Sequence, residues 1–175
     1  MPAFAAQNAR MSEQLTLQEL QQEAITFRRE QEAVMLSTTS TDGMPAASYA
    51  PCVLDEAGRC HVLISRLARH TGNLLSKPIA SLMWLEDSAS NRNAFARRRL
   101  ILRCRAEHIV RDSEAWNHIL KQMEGQLGNT VPLLAGLPDF MLFRFDAVDG
   151  DYVRGFAQAY PVTGNDLAMS ERRTG

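Results

Sequence analysis

From Leu15, apolar residues recur at Leu15, Leu17, Leu20, Ala24, Ile25 and Phe27 with Gln and Glu between them, a spacing that predicts an amphipathic helix. Ser12 or Thr16 can cap its start, and its apolar stripe is expected to cover the end of a barrel. Ahead of it, Met1 to Met11 carries no such pattern and is read as disordered or as a cover for a partner. At Ala33 the texture changes to β-branched and small residues. Val34-Met35-Leu36-Ser37-Thr38-Thr39, the turn signal Thr41-Asp42-Gly43 and the run Ala46 to Leu54 predict a hairpin. A second turn, Asp55-Glu56-Ala57-Gly58, opens a third strand, Arg59 to Ser65. In this meander Ser37, Thr39, Ser48 and Ala50 are expected to share one face.

Further on, Ala68 to Ser76 reads as a short helix and Ile79 to Leu85 as a buried strand, followed by a polar loop, Glu86 to Asn93. Between Arg99 and Val110, Leu100, Leu102, Cys104 and Ala106 alternate with Ile101, Arg103, Arg105 and Glu107, as in a long strand with one buried face. Asp112-Ser113-Glu114 caps a helix, Ala115 to Gly125, on which Trp116, Ile119, Leu120 and Met123 share a face, and a short helix, Val131 to Ala135, follows. Phe140 to Phe145 and Asp151 to Phe156 predict a last hairpin turning at Val148-Asp149-Gly150. The order β-β-β-α-β-β-α-β-β, joined by tight turns, predicts a mainly β, α+β architecture in which helices close an antiparallel barrel. One domain is expected over residues 12–160, with a polar tail over 161–175 and no internal repeat.

Composition narrows the function. With 175 residues, 45% of them hydrophobic, the chain can build one ordinary core. A formal net charge of -1 gives no general attraction to nucleic acid, and Arg97-Arg98-Arg99 is too short a run to change that. Cys52, Cys60 and Cys104 cannot all pair within one chain and sit in apolar surroundings, which points to buried thiols in a reducing compartment. Met1 to Gln14 lacks the pattern of a signal peptide, and no run approaches the roughly 20 apolar residues of a membrane span, so a cytoplasmic protein without a membrane partner is expected.

The chemistry concentrates in Ser65-Arg66-Leu67-Ala68-Arg69-His70-Thr71-Gly72-Asn73-Leu74, directly after the apolar run His61-Val62-Leu63-Ile64. A strand ending in cations, hydroxyls and an amide, with a helix N-terminus behind it, predicts a turn that binds a small anion such as phosphate or carboxylate. His61, His108 and His118 are read as structural, and Trp84 and Trp116 as core. Asp139, Asp146, Asp149 and Asp151 are read as turn solvation. Cys104 and His108 would share a strand face but stand too far apart for one metal, and no metal site is expected. No nucleophile-base-acid set is visible.

Three segments then occur in a telling order: Pro45-Ala46-Ala47-Ser48-Tyr49-Ala50-Pro51, Ser65 to Leu74, and Gly155-Phe156-Ala157-Gln158-Ala159-Tyr160. Together they resemble the FMN-binding split-barrel superfamily of pyridoxamine 5'-phosphate oxidase and, within it, the haem-utilisation (HugZ-like) branch, over roughly Glu30 to Tyr160. The resemblance implies a split barrel, a homodimer with ligands in the grooves between subunits, and an FMN-dependent oxidoreductase. It places Ser48, Tyr49 and Ala50 along the flavin ring. Ser65, Arg69, His70, Thr71 and Asn73 fall around the phosphate, and Arg99 reaches across from the second subunit. His70 stands where the oxidases carry lysine and Arg99 where they carry glutamine, and the Trp and Arg that the oxidases use at the C-terminal side have no counterpart after Tyr160, so pyridoxamine-phosphate oxidation itself is not expected. A phosphate site built on a protonated histidine would weaken as pH rises above about 6.5. The haem-utilisation branch gives the alternative: haem as the ligand, with His70 a candidate ligand to its iron, although the tail histidine that some members supply is missing because no histidine follows His118. A ligand-binding module without turnover is the third possibility.

Overall fold

The structure is a computed structural model that describes residues 15–172, so the segment Met1 to Met11 and the cap offered by Ser12 lie outside the described residues. Helix α1 (Leu17–Arg29) starts in a capping box. Thr16 Oγ1 accepts from the Glu19 amide at 3.2 Å, and the Thr16 amide donates to the Glu19 carboxylate at 2.7 Å. Strands β1 (Ala33–Thr39), β2 (Pro45–Leu54) and β3 (Cys60–Ser65) form the expected meander, and α2 (Arg69–Ser76) leads to β4 (Ile79–Leu85). Then come β5 (Arg99–Ile109), α3 (Glu114–Leu127), α4 (Thr130–Ala135) and the long β6 (Phe140–Gly155), followed by β7 (Gln158–Thr163) and β8 (Ala168–Met169).

Every strand pairing is antiparallel. The sheet runs β3-β2-β1-β4-β5-β6 and closes through β3 on β6, which makes a six-stranded barrel, while β7 and β8 extend from the far half of β6. This is the split-barrel-like, mainly β fold that the resemblance implied. Alternation sends Val34, Leu36, Cys52, Leu82, Trp84, Leu100, Leu102, Phe143 and Phe145 into the barrel, and α1 adds Ala24 and Phe27 to the same core. A second core lies on the outer face, where α3 and α4 lay Trp116, Ile119, Met123 and Val131 over Val53, Leu63, Ile109 and Leu142.

Three expectations fail here. Register pairs Leu36 with Ser48 and Val34 with Ala50, so Ser48 and Ala50 share a face with the buried residues of β1, whereas Ser37 and Thr39 belong to the opposite face with Ala47 and Pro45. The parity of the turn between the strands decides this, and composition does not reveal it. The second failure is the last hairpin. Residues 148–150 do not turn but run through the middle of a 16-residue strand, and the chain reverses at Phe156-Ala157. Gly150 is there for closeness: a Cβ on it would lie 2.0 Å from the carbonyl oxygen of Ile101, next to the bulge between Arg103 and Cys104. The third is the boundary at residue 160, which falls inside β7. The supposed tail pairs as β7 and β8, buries Leu167, and is tied to α1 by Arg28 Nη2 to the carbonyl of Asn165 at 2.7 Å and Gln21 Nε2 to that of Asp166 at 2.8 Å.

The start of α2 is anchored inward. Asn73 Nδ2 donates to Thr38 Oγ1 at 2.9 Å, and both residues are buried. Asn73→Ala would leave the Thr38 hydroxyl without its donor, and a loss of about 1–3 kcal/mol is expected, read in urea as a lower midpoint at unchanged slope. A midpoint equal to that of the parent chain would show that the pair contributes nothing.

Candidate functional site

The site grows from the end of β3. Ser65 pairs with Phe140, which brings the residue before β6, Asp139, against the turn that follows Ser65. Ser65 Oγ donates to Asp139 Oδ2 at 2.6 Å and accepts from the Leu67 amide at 3.1 Å, while the Arg66 amide donates to the Asp139 carbonyl at 2.7 Å. Thr71 Oγ1, fully buried, donates back to the Ser65 carbonyl at 2.6 Å. The hydroxyls that the sequence offered to a ligand phosphate are therefore engaged within the chain, and a carboxylate stands at the centre of the turn. Asp139, read from sequence as turn solvation, is a structural clamp of this site.

Helix α2 begins at Arg69 without a side-chain cap. Arg69 is exposed, whereas the neighbouring His70 is half-buried and faces a cavity of about 310 Å³. Tyr49, Ala50 and Ser65 line this cavity on the barrel side, and α3 and α4 close it with Met123, Val131 and Leu134. The walls are mostly apolar carbon. His70 Nε2 is buried and has no hydrogen-bond partner, and burial pushes the imidazole pKa below its ordinary value. At neutral pH the ring is therefore neutral and can present a nitrogen lone pair, as a hydrogen-bond acceptor or a metal-ligating group.

Of the residues singled out from sequence, Tyr49, Ala50, Ser65 and His70 meet at this cavity, with Tyr49 69% exposed and so part of its rim. Ser48 instead donates to the Leu36 carbonyl at 3.1 Å, and Thr71 and Asn73 hold the turn to the barrel. Arg99 begins β5, where its Nη1 donates to the Arg97 carbonyl at 3.4 Å, and it does not line the cavity. Sequence reasoning missed the helical wall and the clamp. Both depend on where the loop before β6 is carried by pairing with β3, which no local pattern encodes.

A second buried histidine shows the structural role expected of it. His61 Nε2 lies 3.2 Å from Asp55 Oδ2, the carboxylate that also accepts from Arg59 Nε at 2.7 Å. Burial holds the His61 pKa below its ordinary value against the pull of Asp55. Cys52, Cys60 and Cys104 are buried and unpaired, and burial pushes the Cys104 thiol up to about 12, so it is no nucleophile at neutral pH. No helix among the described residues is long and apolar enough to cross a membrane.

Comparison with known proteins agrees with the fold. Residues 20–154 match the family model for pyridoxamine 5'-phosphate oxidase. In sequence the chain is similar to haem oxygenase HutZ of Vibrio cholerae, with 42% identity over 148 residues, which is 85% of this chain and 84% of the relative. In structure it is similar to crystalline HutZ from Vibrio cholerae, there described as a haem storage protein, with a TM-score of 0.67 and 40% identity over 71% of this chain and 87% of that one. Campylobacter jejuni ChuZ shares the fold at a TM-score of 0.79 and 24% identity, over 93% of this chain and 68% of its own.

Proposed function

The chain belongs to the pyridoxamine 5'-phosphate oxidase family, and on that premise we propose that it is a haem-binding protein of haem utilisation rather than a flavin-dependent oxidoreductase. One observation carries the choice: the turn that would cradle a flavin phosphate holds the Asp139 carboxylate at 2.6 Å from Ser65, while the adjoining cavity is apolar and lined by His70, whose buried Nε2 has no hydrogen-bond partner. A dianionic phosphate would meet a negative charge and hydroxyls already engaged. A large apolar macrocycle suits the walls better. The 42% identity to HutZ supports the same direction.

In this reading Met123, Val131 and Leu134 exclude water from one face of the ligand and Ala50 supports the other side of the chamber. His70 offers a neutral nitrogen, and the exposed Arg66 and Arg69, which adjoin the cavity residues Ser65, Ala68 and His70 in sequence, would serve the carboxylates. Haem, when bound, supplies the iron and its redox chemistry, and the protein's part is to bind, orient and shield. A second copy of the chain would complete the site by covering the exposed Tyr49 rim and bringing its own Arg99 toward the ligand. The buried, unpaired cysteines suit work in the reducing cytoplasm.

Titration of the purified protein with haemin and, separately, with FMN tests this. A Soret band that saturates at one haemin per chain and survives desalting is expected, with FMN remaining free. Retention of FMN with no haemin spectrum would return the protein to the flavin reading, which rests on the family and on the exposed Arg69 at the uncapped start of α2.

A further inference from the structure

His70 lines the cavity but its Nε2 has no solvent exposure, so a ligand that reaches that nitrogen must displace neighbouring groups. Most of the cavity wall cannot give way cheaply. Residues 49–51 and 63–65 sit in or directly against the closed strand ladder, and α3 is pinned by Trp116, Ile119 and Met123 in the outer core. Residues 128–138 are different. They begin at Gly128, in the left-handed region at φ 84°, and α4 itself is six residues long with no side-chain cap. Only Val131 and Ala135 of α4 are buried, and Leu133 is 72% exposed. Yet this segment supplies Thr130, Val131 and Leu134 to the cavity.

Beside the packing of Val131, Ala135 and Leu134 in the outer core, one polar side chain ties it down. Arg111, just after β5, donates to the carbonyl oxygens of Ala135 at 2.6 Å, Leu137 at 2.6 Å and Phe140 at 2.9 Å. Its guanidinium lies 4.8 Å from the Trp116 ring centroid, so Trp116 of the fixed outer core positions the fork. The Ala135 and Leu137 carbonyls belong to the end of α4 and the chain just beyond it, that of Leu137 also accepting from the Phe140 amide at 3.3 Å, while the Phe140 carbonyl belongs to the first residue of β6. A charged donor from the barrel thus ties the one loosely built wall of the cavity to the rigid part of the molecule.

We propose that residues 128–138 are a movable wall that opens to admit the ligand to His70, and that Arg111 is the positioning residue that latches it closed. The identity of the ligand as haem rests on the function proposed above; the latch rests on the carbonyl contacts alone. Releasing the latch raises the population of the open wall, so entry and escape both quicken while the closed complex, whose contacts with the ligand do not include Arg111, keeps most of its affinity.

The test uses Arg111→Met, which keeps the aliphatic stem, and Arg111→Lys, which keeps the charge but loses the fork. Amide hydrogen exchange of the ligand-free protein is expected to quicken about tenfold or more over residues 128–138 in Arg111→Met, and less in Arg111→Lys, with the barrel strands unchanged. Stopped-flow mixing with haemin is expected to show association and dissociation rates raised together, with the dissociation constant altered by less than about threefold. Unchanged exchange over 128–138, or exchange that quickens equally in every strand, overturns the latch. Faster local exchange with unchanged haemin rates overturns the gate. If the parent protein takes up no haemin, the haem reading fails, and the exchange arm still decides whether Arg111 holds the wall.

Discussion

Gly150→Ala is expected to abolish or nearly abolish folding, because the added methyl carbon would sit 2.0 Å from the Ile101 carbonyl oxygen and 2.9 Å from Leu102 Cδ2. The first of these contacts is with backbone in the β5–β6 pairing, on the wall of the barrel, so relief requires the strands themselves to part. A loss of roughly 4 kcal/mol or more is of the order of the whole stability of a domain this size. Gly125→Ala in α3 is the matched control. Nothing lies within 4 Å of its Cβ position, and replacing a helical glycine there is expected to stabilise by about 0.5–1 kcal/mol. Soluble yield and urea midpoints of the two variants check this. A Gly150→Ala protein with the parent midpoint would mean that β6 does not pass Ile101 as described.

His70→Ala should weaken haemin binding by about ten- to a hundredfold, with a displaced Soret band, while leaving the fold intact because the ring makes no hydrogen bond through Nε2. The pH dependence has a definite sign. Burial lowers the folded-state pKa of His70, so the imidazole is neutral at pH 7 and takes up a proton only below about 6.5. Haemin affinity is therefore expected to be flat above that value and to fall in acid. Stability follows the same sign: the unfolded chain binds protons on His61 and His70 near pH 6.5 while the folded chain resists them, so stability is full above that pH and declines as pH falls toward the folded pKa values. A cationic His70 on a phosphate would do the reverse and lose affinity as pH rises. Affinity that improves in acid would thus overturn the neutral-imidazole reading and favour an anion partner.

The opposite signs of these two expectations mark the limit of local inference. A histidine beside Arg69 in a hydroxyl-rich turn looks like a cation for an anionic group, and residue chemistry alone supports that assignment. Burial of its Nε2, and the arrival of Asp139 on Ser65, reverse it.

Hydrophobic period, caps and turn residues determined most of the elements by themselves. Thr16 and Ser113 cap α1 and α3, the alternation in β5 runs as expected through Leu100, Leu102 and Cys104, and the antiparallel barrel follows from strands joined by tight turns. These features depend on neighbours within a few residues, and so they are written in the chain. The ordered segments around Ser48, Ser65 and Gly155 also carried the family. Tertiary structure alone decided the rest. Gly150 reads as a turn until β5 is known to press against it, and the polar stretch after Tyr160 reads as a tail until β6 offers an edge to β7. The cavity beside His70 exists because pairing of β3 with β6 carries Asp139 to Ser65, 74 positions away in sequence, and α4 with it, and closure at that separation depends on the whole barrel, not on any segment of it.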